Sequence, residues 1–251
     1  MKPVLVLPTY NERDNIESFL GAALAAVPEL RVIVVDDASP DGTGQFVAGM
    51  AKADPRVRLH SRPAKMGLGT AYREGFALAL DSLKADFVVQ MDADFSHDPM
   101  DIPRLLQCAG AVDLVIGSRH AAGGGAEGWP LRRHCLSRSA NFLARLAAGG
   151  PVRDCTGGFR CYRAAALQEA KYMETRCRGF GWQVEMTARF LERGLRICEL
   201  PITFRQRAKG QSKMSKAVIV ESSELLVYIA SRRFMRLFTG RRAAENGVEA
   251  T

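Results

Sequence analysis

Short apolar runs and helically spaced apolar positions alternate along the first 120 residues. Residues 4–7 (VLVL), 32–35 (VIVV), 87–91 (FVVQM) and 114–116 (LVI) are near-continuous apolar runs, the pattern of strands buried on both faces. Val57 and Leu59 add a further strand to the series. Ile16, Phe19, Leu20, Ala23, Leu24 and Val27 recur at helical spacing, with Asn11 placed to cap that helix. Phe46, Val47 and Met50 follow the turn Pro40-Asp41-Gly42, and residues 70–83 carry another apolar helical stripe. Asp98-Pro99 opens one more helix, with proline at the favoured first position. Strand and helix alternate throughout, so an α/β fold is predicted: a mostly parallel central sheet flanked by helices.

The pattern loosens after residue 120. Residues 121–128 (AAGGGAEG) read as a mobile glycine-rich loop. Residues 132–147 read as a basic amphipathic helix, with Arg132, Arg133, Arg138 and Arg145 among Leu136, Phe142, Leu143 and Leu146. Strands are predicted over 155–162 and 197–204, and helices over 181–192 and 216–238. The expected organisation is one domain over 1–215, then a basic amphipathic helix and tail over 216–251.

Composition narrows the class. The chain has 251 residues, 47% hydrophobic and 25% charged, an ordinary globular balance that excludes disordered, collagenous and coiled-coil proteins. Cys108, Cys135, Cys155, Cys161, Cys177 and Cys198 form no CxxC pair, so they read as reduced thiols of a cytosolic protein. No apolar stretch approaches the roughly 20 residues of a membrane span, and no signal peptide is visible. The net charge is +8, and ten cations against four acids put +6 of it after residue 200. That asymmetry suits a phosphate-rich partner: a nucleotide, a nucleic acid or an anionic membrane surface.

Ligands of open parallel sheets bind beyond the carboxyl ends of the strands. Three such ends carry polar clusters: residues 8–12 (PTYNE), Asp36-Asp37, and Asp92-Ala93-Asp94. Two carboxylates at i and i+2 of an extended segment point to one side and can grip one hard divalent ion, Mg²⁺ or Mn²⁺, that bridges to substrate phosphates. Loop aspartates also cap helices, but Asp98 fills that role here. Residues 65–70 (KMGLGT) form a glycine turn before a helix; they are either a tight turn only or a close backbone approach to a phosphate or sugar. Residues 204–213 (FRQRAKGQSK) place four cations around a glycine, as a basic loop over a diphosphate would.

Together these residues resemble the family-two glycosyltransferases, most closely the dolichyl- or polyprenyl-phosphate mannosyltransferases. The motifs stand in order over residues 3–238: LPTYNE at 7–12, VVDDASPDGT at 34–43, GLGTAYREG at 67–75, MDADFSHDP at 91–99, GSR at 117–119, GWPLRRHCLSRSANFL at 128–143, DCTGGFRCYR at 154–163 and RAKGQSK at 207–213. The resemblance implies the nucleotide-sugar transferase (GT-A) fold. It implies that Pro8, Tyr10, Glu12, Val35 and Asp37 hold the nucleoside, and that Met91, Asp92, Ala93 and Asp94 line the metal and diphosphate site. Arg119 faces the sugar phosphate or acceptor phosphate in that pattern, and Arg207 and Lys213 clamp the phosphates. Phe95 and Cys155 depart from the family pattern without removing a charge.

The implied reaction moves mannose from GDP-mannose to a polyprenyl phosphate with inversion, assisted by Mg²⁺ or Mn²⁺. Arg119, Arg133 and Arg138 are the candidates for drawing in the acceptor phosphate, and Asp154 for orienting an arginine or the sugar. Many relatives carry membrane spans that this chain lacks. The expectation is a cytoplasmic protein peripheral on the cytoplasmic membrane face, through its basic amphipathic helices or a membrane-anchored partner subunit, with no nucleic-acid partner. A UDP-glucose or UDP-amino-sugar donor, or a non-catalytic nucleotide-sugar-binding subunit, are the alternatives.

Overall fold

The computed structural model describes residues 1–206 and 223–235. The first half alternates as its apolar runs predict: β1 (Pro3–Thr9), α1 (Arg13–Ala26), β2 (Arg31–Asp36), α2 (Thr43–Ala53), β3 (Val57–Ser61), α3 (Leu68–Asp81), β4 (Phe87–Gln90), α4 (Ile102–Ala109) and β5 (Leu114–Ser118). The second half holds β6 (Gly125–Ala126), α5 (Leu131–Ala148), β7 (Arg160–Arg163), α6 (Ala164–Glu169), α7 (Trp182–Glu192), β8 (Ile197–Pro201) and β9 (Thr203–Phe204).

Seven strands form one sheet in the order β3-β2-β1-β4-β7-β5-β8, all parallel except β7. Its side chains alternate between two buried cores. Val4, Val6, Ile33, Val35, Val88 and Ile116 face one, with α3, α5 and α7; Leu5, Leu7, Val32, Val34, Val89 and Val115 face the other, with α1 and α4. Burial of both faces is the physical reason that these strands read as unbroken apolar runs. Residues 223–235 are helical and dock on the first core through Leu225 and Ile229, while Arg232 pairs with Glu192 at 3.0 Å. The predicted domain boundary at residue 215 and the tail from 236 lie outside the described residues.

Three expectations need correction. Asn11 does not cap α1: the β1–α1 turn needs a left-handed residue, Asn11 takes that conformation (φ 56°), and Glu12 occupies the cap position. The strand expected over 155–162 begins only at Arg160, because the Arg160 guanidinium folds the preceding segment into a loop by binding the carbonyls of Cys155 and Gly157. The glycine-rich segment 121–128 contains a strand: Gly125 and Ala126 pair with Thr203 and Phe204.

Candidate active site

The carboxyl ends of β1, β2, β4 and β5 share one edge of the sheet, and the reversed strand β7 brings its amino end there too. At the β1–β2 end, Asp36 is spent on structure: Thr9 Oγ1 donates to it at 2.9 Å and Ser39 Oγ at 2.6 Å. Asp37 pairs with the buried Arg62 guanidinium at 2.5 Å and accepts from the Met66 backbone at 3.2 Å. Arg62 also donates to Thr70 Oγ1 and the Gly67 carbonyl, so Asp37 pins the 65–70 turn beside the strand exits. Lys65 of that turn lies over the Tyr10 ring at 4.5 Å, and Glu12 accepts from Asn15 at 3.0 Å. Pro8, Tyr10, Glu12 and Asp37 therefore border one region, whereas the Val35 side chain is wholly buried in the core.

The glycines of the 65–70 turn answer to packing. Gly67 has φ +101°, and a Cβ there would stand 2.5 Å from the Arg178 carbonyl; one on Gly69 would strike the Cys177 carbonyl. Gly69 N also donates to Arg178 O at 2.8 Å. The close approach is to the chain's own backbone ahead of α7.

Beyond β4 the chain alternates again. Met91 and Ala93 are buried in the core, and Met91 contributes its carbonyl to the Tyr72 hydroxyl at 3.3 Å. Asp94 is buried and takes the Ser96 backbone N–H at 3.0 Å, closing a turn that Phe95 completes with φ 58°. Asp98 caps the next helical turn through Met100 N at 3.0 Å, as expected. Asp92 Oδ2 faces Gly158, 3.5 Å from where a Cβ would stand. Among the described residues no group of three or more His, Cys, Asp or Glu is placed to hold a metal ion.

On the next side lies Arg119, just past β5. Asp154, fully buried, accepts from Arg119 Nε and Nη2 at 2.8 Å each and from its backbone N–H at 3.0 Å. Thr156 Oγ1 takes a further bond at 2.7 Å. Burial alone would raise the Asp154 carboxyl; the Arg119 hydrogen bonds and charge outweigh it and hold the group well below the usual carboxylate range. Asp154 is itself fixed from behind, since Glu199 accepts its backbone N–H at 2.8 Å. The guanidinium lies 5.6 Å from the Phe204 ring and 6.0 Å from Trp129. Arg119 and Arg138 line one open cleft with His120, Trp129, His134 and Ser137, and Arg133 stacks on the outer Trp129 face at 4.2 Å.

Two parts of the site connect through a glycine pair. A Cβ on Gly157 would stand 3.3 Å from Asp154, and Gly158 faces Asp92, so the Arg119 cleft and the carboxylate pair adjoin. His97 sits nearby, buried against Phe159 and Phe204. Burial, then the nearby Arg119 charge, lower it to about 4, so it is neutral at neutral pH. Of the four cations of the run 204–213, Arg205 lies among the described residues, and its backbone N–H binds Ser96 O at 2.9 Å. Arg207 and Lys213 lie outside the described residues. Sequence reasoning missed Arg62, His97, Trp129 and also Gln183, which stands with Asp92 at the Gly158 position. His97 and Trp129 stood inside quoted motifs, while Arg62 and Gln183 carried no local signal.

Comparisons with known proteins agree with this architecture. The chain is 43% identical over 222 residues to an undecaprenyl-phosphate mannosyltransferase of Micrococcus luteus, covering 88% of this chain and 91% of that one. It is 41% identical over 223 residues to a polyprenol monophosphomannose synthase of Mycolicibacterium smegmatis, covering 88% and 84%. Among solved structures, glucosyl-3-phosphoglycerate synthase of Mycobacterium tuberculosis, in complex with Mn²⁺, UDP and glucosyl-3-phosphoglycerate, superposes with a TM-score of 0.65 at 21% identity, over 92% of this chain and 79% of that one. A mannosyltransferase from Pyrobaculum calidifontis, in complex with GDP-Man and Mn²⁺, gives 0.59 at 20% identity, over 93% and 64%. These two likenesses establish the fold. Residues 4–170 match the family described as Glycosyl transferase family 2, and with its two mannosyltransferase relatives this shows that the chain belongs to that family.

Proposed function

We propose that the protein transfers mannose from GDP-mannose to a polyprenyl phosphate. The observation that carries the proposal is the pairing of two chemistries on one sheet edge. Asp92 and Asp94 offer hard oxygen ligands, and the adjoining Arg119–Arg138 cleft offers cations and aromatic walls to a phosphate acceptor. The names of the two relatives support the sugar and the lipid.

The donor set fits a divalent cation. Mg²⁺ and Mn²⁺ are commonly held by one or two carboxylates with substrate phosphates filling the shell, so two protein ligands suffice. Asp92 and Asp94 would hold it, and it would supply positive charge against that gathering on the departing diphosphate. Pro8, Tyr10, Glu12 and Asp37 would border the nucleoside, with Val35, Met91 and Ala93 contributing backbone and packing. Arg207 and Lys213 are proposed as phosphate clamps on sequence grounds alone.

The acceptor needs little help from a protein base. A phosphate monoester loses its second proton near about pH 6, so its oxygen is already a nucleophile at neutral pH. That oxygen bonds to the anomeric carbon while the bond to GDP breaks, which inverts the centre. Arg119 would aim the acceptor phosphate, with Arg133 and Arg138 drawing it in. Asp154 already binds Arg119, which makes it the orienting partner rather than a base.

A lipid acceptor stays in its bilayer, so the enzyme must meet it there. Among the described residues no helix is long and apolar enough to cross a membrane. Helix α5 instead exposes Leu136, Phe142, Leu143 and Leu146, each more than half accessible, beside exposed Arg132, Arg138 and Arg145. A basic and apolar face of this kind suits the anionic surface of a membrane. We therefore place α5 at the cytoplasmic membrane face.

The test incubates the full chain and metal with labelled GDP-mannose or UDP-glucose and a short polyprenyl phosphate. Metal-dependent, lipid-linked mannose is expected. Transfer from UDP-glucose alone, or no transfer from either, would overturn the proposal.

A further inference from the structure

We infer that Gly158, Gln183 and His97 form with Asp92 the pocket for the hydroxyl groups of the transferred hexose, and that Gln183 is the residue that tells one sugar epimer from another. The inference rests on the donor reading above and names the part of the site that reads the sugar.

The position of Gly158 carries it. A Cβ built there meets three atoms at ordinary contact distance and nothing closer: Asp92 Oδ2 at 3.5 Å, Gln183 Nε2 at 3.8 Å and His97 Nε2 at 3.9 Å. Three polar side chains from three different segments thus surround a space one methyl group wide, above a residue with no side chain. Gln183 and His97 are almost wholly buried, at 4% and 2% exposure. On the same two side chains, Gln183 Oε1 and His97 Nδ1, which are not the atoms nearest Gly158, have no hydrogen-bond partner among the described residues, and neither does Ser96 Oγ next along the chain. Buried polar side chains are rarely left partly unpaired, so the fold around Gln183 and His97 does not by itself satisfy them.

The mixture of groups identifies that ligand. A carboxylate and an amide oxygen ask for donors; the amide N–H asks for an acceptor, and neutral His97 offers one of each. A phosphate brings acceptors only and has no donor to offer a carboxylate oxygen. A sugar hydroxyl donates and accepts at once. Gln183 is the second residue of α7, where its own carbonyl is bound by Arg160 Nη1 at 2.9 Å, so its backbone is fixed. A site built to hydrogen-bond a hydroxyl rejects an analogue that misplaces it far better than an apolar wall does.

The test uses the full chain with Gln183→Met, which keeps the length without the amide, and Gly158→Ala, which places a methyl in the pocket without displacing protein atoms. GDP affinity in Mn²⁺ is measured by titration, and kcat/KM is measured for GDP-mannose and its C2 epimer GDP-glucose. Both variants should bind GDP within about twofold of wild type and lose roughly 10- to 100-fold in kcat/KM for GDP-mannose. Gln183→Met should also shrink the preference between epimers at least about tenfold. Unchanged GDP-mannose turnover in both variants, a matching loss of GDP affinity, or a preserved epimer preference would overturn the inference. A wild-type enzyme that ignores GDP-mannose would refute the donor reading instead, and the same epimer ratio is then read on the nucleotide hexose that it does use.

Discussion

Replacing Asp154 by Asn removes one charge from a buried pair while keeping its shape. The carboxylate satisfies three N–H groups of Arg119, and both side chains are withdrawn from water, at 0% and 11% exposure. Deleting one partner of a buried pair costs about 3–5 kcal/mol, because the remaining charge stays desolvated. Arg119 keeps Thr156 and two aromatic faces, so the lower end applies, about 3 kcal/mol at pH 7. With a urea m-value of about 3 kcal/mol/M, the unfolding midpoint should fall by about 1 M. The sign of the pH dependence follows from the depressed carboxyl. Its contribution is complete above the unfolded value near about 3.9 and fades as pH falls towards the lower folded value. Urea titrations at pH 7 and pH 3 should therefore show the gap between wild type and Asp154→Asn narrowing in acid. In parallel, the KM for polyprenyl phosphate should rise more than that for GDP-mannose. A gap below about 0.5 kcal/mol at pH 7, or one equally large at pH 3, would refute the reasoning.

Asp94→Asn is nearly isosteric and should keep its turn to Ser96 N; transfer should drop at least about 100-fold with the thermal unfolding midpoint little changed, and wild-type turnover in saturating Mn²⁺ would remove the metal assignment. Gly67→Ala adds a Cβ against the Arg178 carbonyl at φ +101°, and calorimetry should record a loss of about 1–3 kcal/mol. Phe142→Ser with Leu143→Ser changes only exposed positions of α5. Sedimentation with anionic vesicles should fall several-fold while the unfolding midpoint stays put, and wild-type binding should weaken with salt; salt-insensitive binding would contradict the membrane assignment.

The sheet was legible because its central strands are buried on both faces, which leaves little polar punctuation inside a run such as Val32–Val35. The paired carboxylates were legible because they follow such a run directly. The loop before β7 was not: Cys155 and Phe159 flank a Thr-Gly-Gly segment that breaks the strand pattern, and it is Arg160, reaching back to two carbonyls, that bends it. Asn11 looked like a cap because capping and left-handed turns favour the same residue. Arg62 and Gln183 become informative through distant partners, Asp37 for Arg62 and the Asp92–Gly158 pair for Gln183, each 25 or more positions away. Spacing along a chain cannot register contacts of that range.

The reversed strand β7 has an evolutionary corollary. Because it runs against its neighbours, the loop entering it arrives at the same rim as the loops leaving β1, β2, β4 and β5. The rim is thereby divided by sequence position. The residues at the β1–β2 end, Pro8, Tyr10, Glu12, Asp37 and Arg62, precede Ser118, whereas the cationic cleft and its supports, Arg119, Trp129, Arg138, Asp154 and Glu199, all follow it. Substitutions around the cleft can therefore reshape the proposed acceptor side with the proposed nucleoside side left intact. On the proposed function, a chain so partitioned can change the molecule that it decorates while keeping the currency in which its sugar is supplied.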